Sequence, residues 1–295
     1  MKVIDCFIYN NEIQLLRARL EYLGDSCDLH IVVESNRYFS GAIRQFSGVE
    51  EEELCAQFPG KIVWVKFNDE SLESTPWERE ASQRNHISLH LNDLGKDDLI
   101  LLSDADEIPS RHFIDQAKLR LPEFSIAKMQ HFQYCQHLSN SNHSHTTIAF
   151  SSESLCLSIQ ELRIRAIRYW ENPKDIIENA GWHFSSFGDS AAFVDKIKHF
   201  SHQEFNKFPY TTTAYVRLLQ YLGLQIDGSY FLDLIKNPDI PFDTGFICYR
   251  KHRIQPRDFL RKLIQPIVVL IFARLVKEVS TSFIEETFRT QPKGE

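Results

Sequence analysis

Apolar residues along the chain fall first into short uninterrupted runs and helix-spaced stripes. Residues 3–9 form a mostly apolar run of strand length, and Ile13, Leu16, Leu20 and Leu23 follow at the three-and-four spacing of one helical face. Asn11 and Gln14 stand three apart at the head of that stripe, as in a helix-capping pair. A second apolar run, over 29–34, ends on the carboxylate of Glu34, and a third covers 61–65. Thr75-Pro76-Trp77-Glu78 places Thr at an N-cap, Pro at the first helical position and Glu at the third. This predicts a helix running to about Leu91 and stopping near Gly95. Leu99-Ile100-Leu101-Leu102 then reads as a strand covered on both faces. Strands alternating with helices over the first ~110 residues predict an α/β fold, a mostly parallel central sheet flanked by helices.

Beyond Ser110 the pattern changes. Short aromatic-rich segments within 124–134 and 162–170 read as strands, and 136–146 as a polar loop rich in His and Asn. Helical periodicity returns over 190–200 and 210–224. The expected division is one domain over 1–250, with halves 1–110 and 111–250, and a C-terminal helical extension over 251–295. Within that extension, residues 267–273 are apolar and flanked by Arg257, Arg261, Lys262, Arg274 and Lys277. A bilayer span needs about 20 apolar residues. The segment therefore either packs on the domain or lies on a membrane surface, where basic flanks attract anionic lipid.

Composition narrows the function classes. A net charge of -7 leaves no basic footprint for nucleic acid. The 22 Phe and 10 Tyr can fill a core or line a sugar site. Cys6, Cys27, Cys55, Cys135, Cys156 and Cys248 form no C-x-x-C pair, so zinc is not expected and reduced, mostly buried thiols are. The chain enters its first strand directly after Met1-Lys2, which predicts a cytoplasmic protein, peripheral at the inner face of a membrane if the tail binds lipid.

The sharpest chemical feature is Ser103-Asp104-Ala105-Asp106-Glu107-Ile108-Pro109, directly after the buried run at 99–102. Ligands of open α/β sheets bind beyond the carboxyl ends of strands. Asp104 and Asp106 could turn toward one hard cation, Mn2+ or Mg2+, shared with a phosphate. Crowded acids need a counter-charge in any case. A structural acidic turn remains the other reading of the triplet.

Four segments together resemble glycosyltransferase family 17, a family of β-1,4-mannosyl-glycoprotein β-1,4-N-acetylglucosaminyltransferase type. They are residues 33–41 (VESNRYFSG), 77–80 (WERE) with 83–85 (QRN), 103–109 (SDADEIP) and 180–185 (AGWHFS). Asp5-Cys6-Phe7 with Asn11-Glu12, and Lys196 with Phe200-Ser201-His202, resemble it too. The resemblance implies a GT-A-like fold, a D-x-D metal site and inverting transfer of N-acetylglucosamine from UDP-N-acetylglucosamine to a glycan or glycolipid. The chain departs from the family at Phe184 and Ser186, where the family has cysteines.

On this reading Asp104, Asp106 and His183 are the expected metal ligands, with Asp104 also touching the donor. Glu34 contacts the donor's base or ribose, or else caps its loop. Arg84 reaches the diphosphate or base, or else pairs with Glu80 one turn back. Trp182 stacks on a sugar or packs. The general base that inverting transfer requires lies among Asp189, Glu178 and Asp195, and Asp189, in a Gly-Asp-Ser turn, is the candidate. His131, His137, His143 and His145 read as solvated or acceptor-facing. The competing function is a catalytically inactive carbohydrate- or membrane-surface-binding protein that keeps the fold.

Overall fold

The computed structural model describes residues 1–122, 124–144, 146–155, 157–169, 174–226, 232–235 and 238–242. The expected extension over 251–295, with its apolar segment, lies outside them, as does His145. The first half of the chain alternates as expected: β1 (Val3–Tyr9), α1 (Ile13–Leu23), β2 (Leu29–Ser35), α2 (Gly48–Gln57), β3 (Ile62–Phe67), α3 (Pro76–Asn85) and β4 (Leu99–Asp104). All seven residues of β1 are buried, because the strand sits mid-sheet with β2 and β4 parallel on either side. β3 adds in parallel to β2, so the parallel run is β3-β2-β1-β4.

After β4 come β5 (Glu107–Pro109), α4 (Arg111–Arg120), β6 (Ser125–Ala127), β7 (Met129–Gln133), β8 (Leu138–Ser144), β9 (Ile148–Ser151), α5 (Ile159–Tyr169), β10 (Ile176–Ile177), β11 (Gly181–Ser185), α6 (Ser190–His199), α7 (Thr213–Leu222) and β12 (Asp233–Leu234). The seven-stranded sheet is completed by β9, β6 and β10, with β9 antiparallel to both β4 and β6. The remaining strands form a five-stranded sheet, β12-β8-β7-β11-β5. The α/β expectation, mostly parallel and flanked by helices, is borne out.

Several local expectations are corrected. The segment over 162–170 is not a strand: residues 159–169 form helix α5, started by a capping box in which Ser158 and Glu161 bond each other's backbone N–H. The polar stretch expected as a loop contains strand β8, paired with β7 and β12. Asn11 and Gln14 do not cap α1; Asn11 takes a left-handed φ of 80° and Glu12 is the N-cap. The Thr75–Glu78 capping box forms as predicted, but the α-helix ends at Asn85 and continues as a 3-10 turn over His86–His90. Cys6, Cys27 and Cys55 are free thiols, whereas Cys135 is disulfide-bonded, against the expectation of reduced thiols throughout.

One glycine governs how β5 joins the edge of the five-stranded sheet. Gly181, at φ 141°, lies so close to β5 that a Cβ would stand 2.2 Å from the Ile108 carbonyl oxygen. That approach lets β11 pair with β5, with His183 opposite Glu107.

Candidate active site

Strand order reverses at β1: the chain proceeds outward to β2 and β3, then returns to place β4 on the other side. A crevice opens at such a switch point, beyond the carboxyl ends of the strands. Ile8 pairs with Asp104 in register, so the Asn10–Glu12 turn after β1 and the Asp104–Glu107 turn after β4 are neighbours.

The acidic turn is held from beneath by a buried cation. Arg19 of α1, fully buried, bonds both oxygens of Asp5 at 2.9 and 2.6 Å and donates to the carbonyls of Asp104 (3.0 Å) and Glu107 (2.6 Å). Burial alone would raise the proton affinity of Asp5. The charge and hydrogen bonds of Arg19, with His30 at 2.9 Å, prevail and hold it well below the usual carboxylate range. Glu107 closes the turn by accepting from the Asp104 N–H at 3.0 Å, and also pairs with Arg163 at 3.2 Å.

The two aspartates face different partners. Asp104 lies between two guanidiniums, with Arg84 2.9 Å from Oδ1 and Arg163 2.6 Å from Oδ2. Burial opposes its charge, but Arg163 and Arg84 outweigh it and keep the group ionised far into acid. Asp106 points the other way. Its Oδ2 accepts from Lys196 of α6 at 2.9 Å, and its Oδ1 lies 3.8 Å from His183 Nε2. Its proton affinity is lowered as well: burial raises it, and Lys196 and His183 reverse the sign. Arg84, Arg163 and Lys196 thus supply the counter-charge that the three acids require.

The remaining expected residues fall in three places. His183 meets Asp106 as anticipated, with His131 stacked on it at 4.6 Å between ring centroids and an interplanar angle of 6°. Of the two readings for His131, solvated or acceptor-facing, the solvated one is overturned: burial, then the neighbouring His183, lower its pKa to about 3. Glu34 and Arg84 are both buried. Glu34 is fully buried and accepts from Arg44, the Ser47 backbone and hydroxyl, and Trp64 Nε1, tying the loop after β2 to the sheet. Arg84, 1% exposed, binds Glu80 and Gln160 as well as Asp104. Glu34 thus braces the loop after β2 and Arg84, paired with Glu80, braces Asp104, the structural alternative expected for each. Asp189 caps α6, its Oδ1 accepting from Ala191 and Ala192 N–H at 2.9 Å each. Trp182 packs edge-on to Tyr22 and Phe242 and donates to the Asp239 carbonyl.

Among the described residues, Asp106 and His183 offer a pair of atoms that one divalent cation could bridge. Two ligands about 2.1 Å from a shared ion lie up to about 4 Å apart, and Asp106 Oδ1 and His183 Nε2 are 3.8 Å apart. Among the described residues no three Asp, Glu, His or Cys side chains converge on one point. Magnesium-type sites shared with substrate phosphates need only one or two protein carboxylates.

The sequence model of glycosyltransferase family 17 matches residues 1–218. The chain belongs to glycosyltransferase family 17. No curated protein matches it in sequence. Among solved structures, a 4-diphosphocytidyl-2C-methyl-D-erythritol synthase is similar at TM-score 0.38 and 11% identity, over 61% of this chain and 90% of its own. S. aureus TarS 1-349 gives 0.34 and 12%, over 66% and 63%. The galactosyltransferase LgtC, in complex with donor and acceptor sugar analogs, gives 0.33 and 12%, over 65% and 74%. The assignment rests on the family match.

Two side chains of this family 17 crevice carry no signal in a reading by runs and triplets. Arg163 comes from a helix whose first residues alternate like a strand. Glu12 is half-buried beside Lys196 at 3.9 Å, and burial raises its proton affinity, with the Lys196 charge opposing and that of Asp106 adding.

Proposed function

We propose that the chain is a metal-dependent inverting glycosyltransferase, moving N-acetylglucosamine from UDP-N-acetylglucosamine to a glycan or glycolipid. The observation that carries the reading is Asp106, which presents one oxygen to His183 and one to Lys196 at a switch-point crevice of a family 17 chain. Mn2+ or Mg2+ would be held by Asp106 and His183 together with donor oxygens. When bound it supplies charge neutralisation for the departing diphosphate.

The protein's own groups do the rest. Asp104 keeps its place between Arg84 and Arg163, and its exposed part would line the donor side. Glu34 and Arg84 act as positioning residues. Arg19 fixes the carbonyls of the acidic turn and so the direction of both aspartates. Glu12, whose proton affinity burial raises and which stands beside the Asp106 pair, is the general base of this reading in place of Asp189.

Among the described residues no helix is long and apolar enough to cross a membrane. Disulfides persist in oxidising compartments, so the Cys135 disulfide weighs against a cytoplasmic site.

The test is hydrolysis and transfer of UDP-N-acetylglucosamine with and without Mn2+. Asp106→Ala, folded by circular dichroism, is expected to lose metal-stimulated turnover. Full activity in that variant contradicts the reading.

A further inference from the structure

Lys196 stands where the proposed metal site needs its carboxylate. Its Nζ lies 2.9 Å from Asp106 Oδ2 and 3.9 Å from Glu12 Oε1, on the same carboxylate that faces His183. The other cations of the site are locked. Arg19, Arg84 and Arg163 are buried, each bound to several acceptors. Lys196 differs in kind: its side chain is 28% exposed, it comes from the last turn of α6, and it ends in a compact ammonium on a flexible stem. An ammonium has three donors and can change acceptors by rotating its stem.

Resting on the transferase reading above, we propose that Lys196 is an exchangeable counter-ion. It neutralises Asp106 in the free protein, gives up that carboxylate to the divalent cation when the donor enters, and then bonds the donor's diphosphate oxygens. The electrostatics favour the exchange. A dication on Asp106 would share one carboxylate with the ammonium, and like charges about 4–6 Å apart repel by several kcal/mol in a partly buried site. A diphosphate makes both cations tolerable by supplying the negative charge they lack. Metal and nucleotide binding are therefore coupled through one side chain, and the coupling is reciprocal. In the free protein Lys196 opposes metal binding; in the donor complex it strengthens nucleotide binding.

The two consequences have opposite signs, which a merely structural ion pair would not produce. Isothermal titration calorimetry of MnCl2 alone, and of UDP, GDP or CDP (whichever the wild type binds) in saturating Mn2+, reads both. Lys196→Met is expected to bind Mn2+ about tenfold or more tightly than wild type, and the nucleotide about tenfold or more weakly. Lys196→Arg, which keeps the charge, is expected to stay near wild type in both. If Lys196→Met does not fold, Lys196→Gln carries the same two expectations. Unchanged or weaker Mn2+ binding in the neutral variant, or unchanged nucleotide binding, overturns the exchange while leaving the transferase reading intact. A wild type that binds no nucleotide under any metal condition overturns both.

Discussion

Asp106 and Glu12 are the two carboxylates of the crevice that no guanidinium holds, and they differ in what their surroundings ask of them. Lys196 and His183 keep Asp106 ionised, which suits a cation ligand. Burial and the nearby Asp106 charge work toward protonating Glu12, which suits a base. Replacing Glu12 with Gln keeps the shape and removes the proton acceptor. The expected result is a fall in kcat of about 10²- to 10⁴-fold with the donor KM little changed. A raised donor KM at unchanged kcat would instead place Glu12 in binding. The buried Asp5 offers a separate check. Its folded pKa is depressed below 3.8, so its stabilising effect is present above that value and is lost as pH falls through the lower folded value. Asp5→Asn is expected to cost about 3–5 kcal/mol at neutral pH, because it leaves Arg19 buried and unpaired. The variant should also flatten the loss of stability between about pH 4 and pH 2. Urea melts across that range measure both effects.

At the scale of elements, the crevice depends on α5 and β11 being brought to the acidic turn. Arg163 projects from α5 to both Asp104 and Glu107. Arg163→Met is expected to destabilise the fold by about 3–5 kcal/mol in denaturant melts, since the buried Glu107 and the partly buried Asp104 each lose a partner. Gly181→Ala must push β11 off the Ile108 carbonyl and is expected to cost more than about 3 kcal/mol. It should also separate His183 from Asp106, seen as a loss of Mn2+ response in whatever fraction folds. The two elements differ in how well the sequence announces them. Gly181-Trp182-His183 stands out by resemblance, whereas α5 reads as a strand because Leu162-Arg163-Ile164-Arg165-Ala166 alternates apolar and polar. The Ser158–Glu161 capping box is the local signal that outweighs that alternation. α2 is similarly faint, with Leu54 its one buried residue, and β8 is, after the buried Leu138, a run of Ser, Asn and His with little strand propensity of its own. β1, β2 and β4 were legible because each is buried on both faces, and the half-buried edge strand β3 by its short apolar run alone. Glu34 and Arg84 were legible as important but not in their role: a sequence shows a charge, and only the fold shows that Trp64, Ser47, Glu80 and Gln160 already hold it.

For the whole molecule, the position of the acidic turn ties fold to function. The parallel run places Asp104 and Asp106 at the switch point, α1 holds them from below through Arg19, and the second sheet brings His183 over the top. An ionised carboxylate set between an imidazole and an ammonium suits a cation and a phosphate together better than it suits a neutral sugar, and on that ground the proposal favours a nucleotide-sugar donor over a catalytically inactive binding protein. Ligand that binds the native state raises its melting temperature in proportion to occupancy. The most direct measurement is therefore a thermal-shift comparison of the wild type and Asp106→Asn with UDP-, GDP- and CDP-sugars, each with and without Mn2+. The account predicts a rise for a nucleotide sugar, UDP-N-acetylglucosamine first, that is larger with Mn2+ and absent in Asp106→Asn. No shift with any nucleotide sugar, or an equal shift in Asp106→Asn, would contradict it.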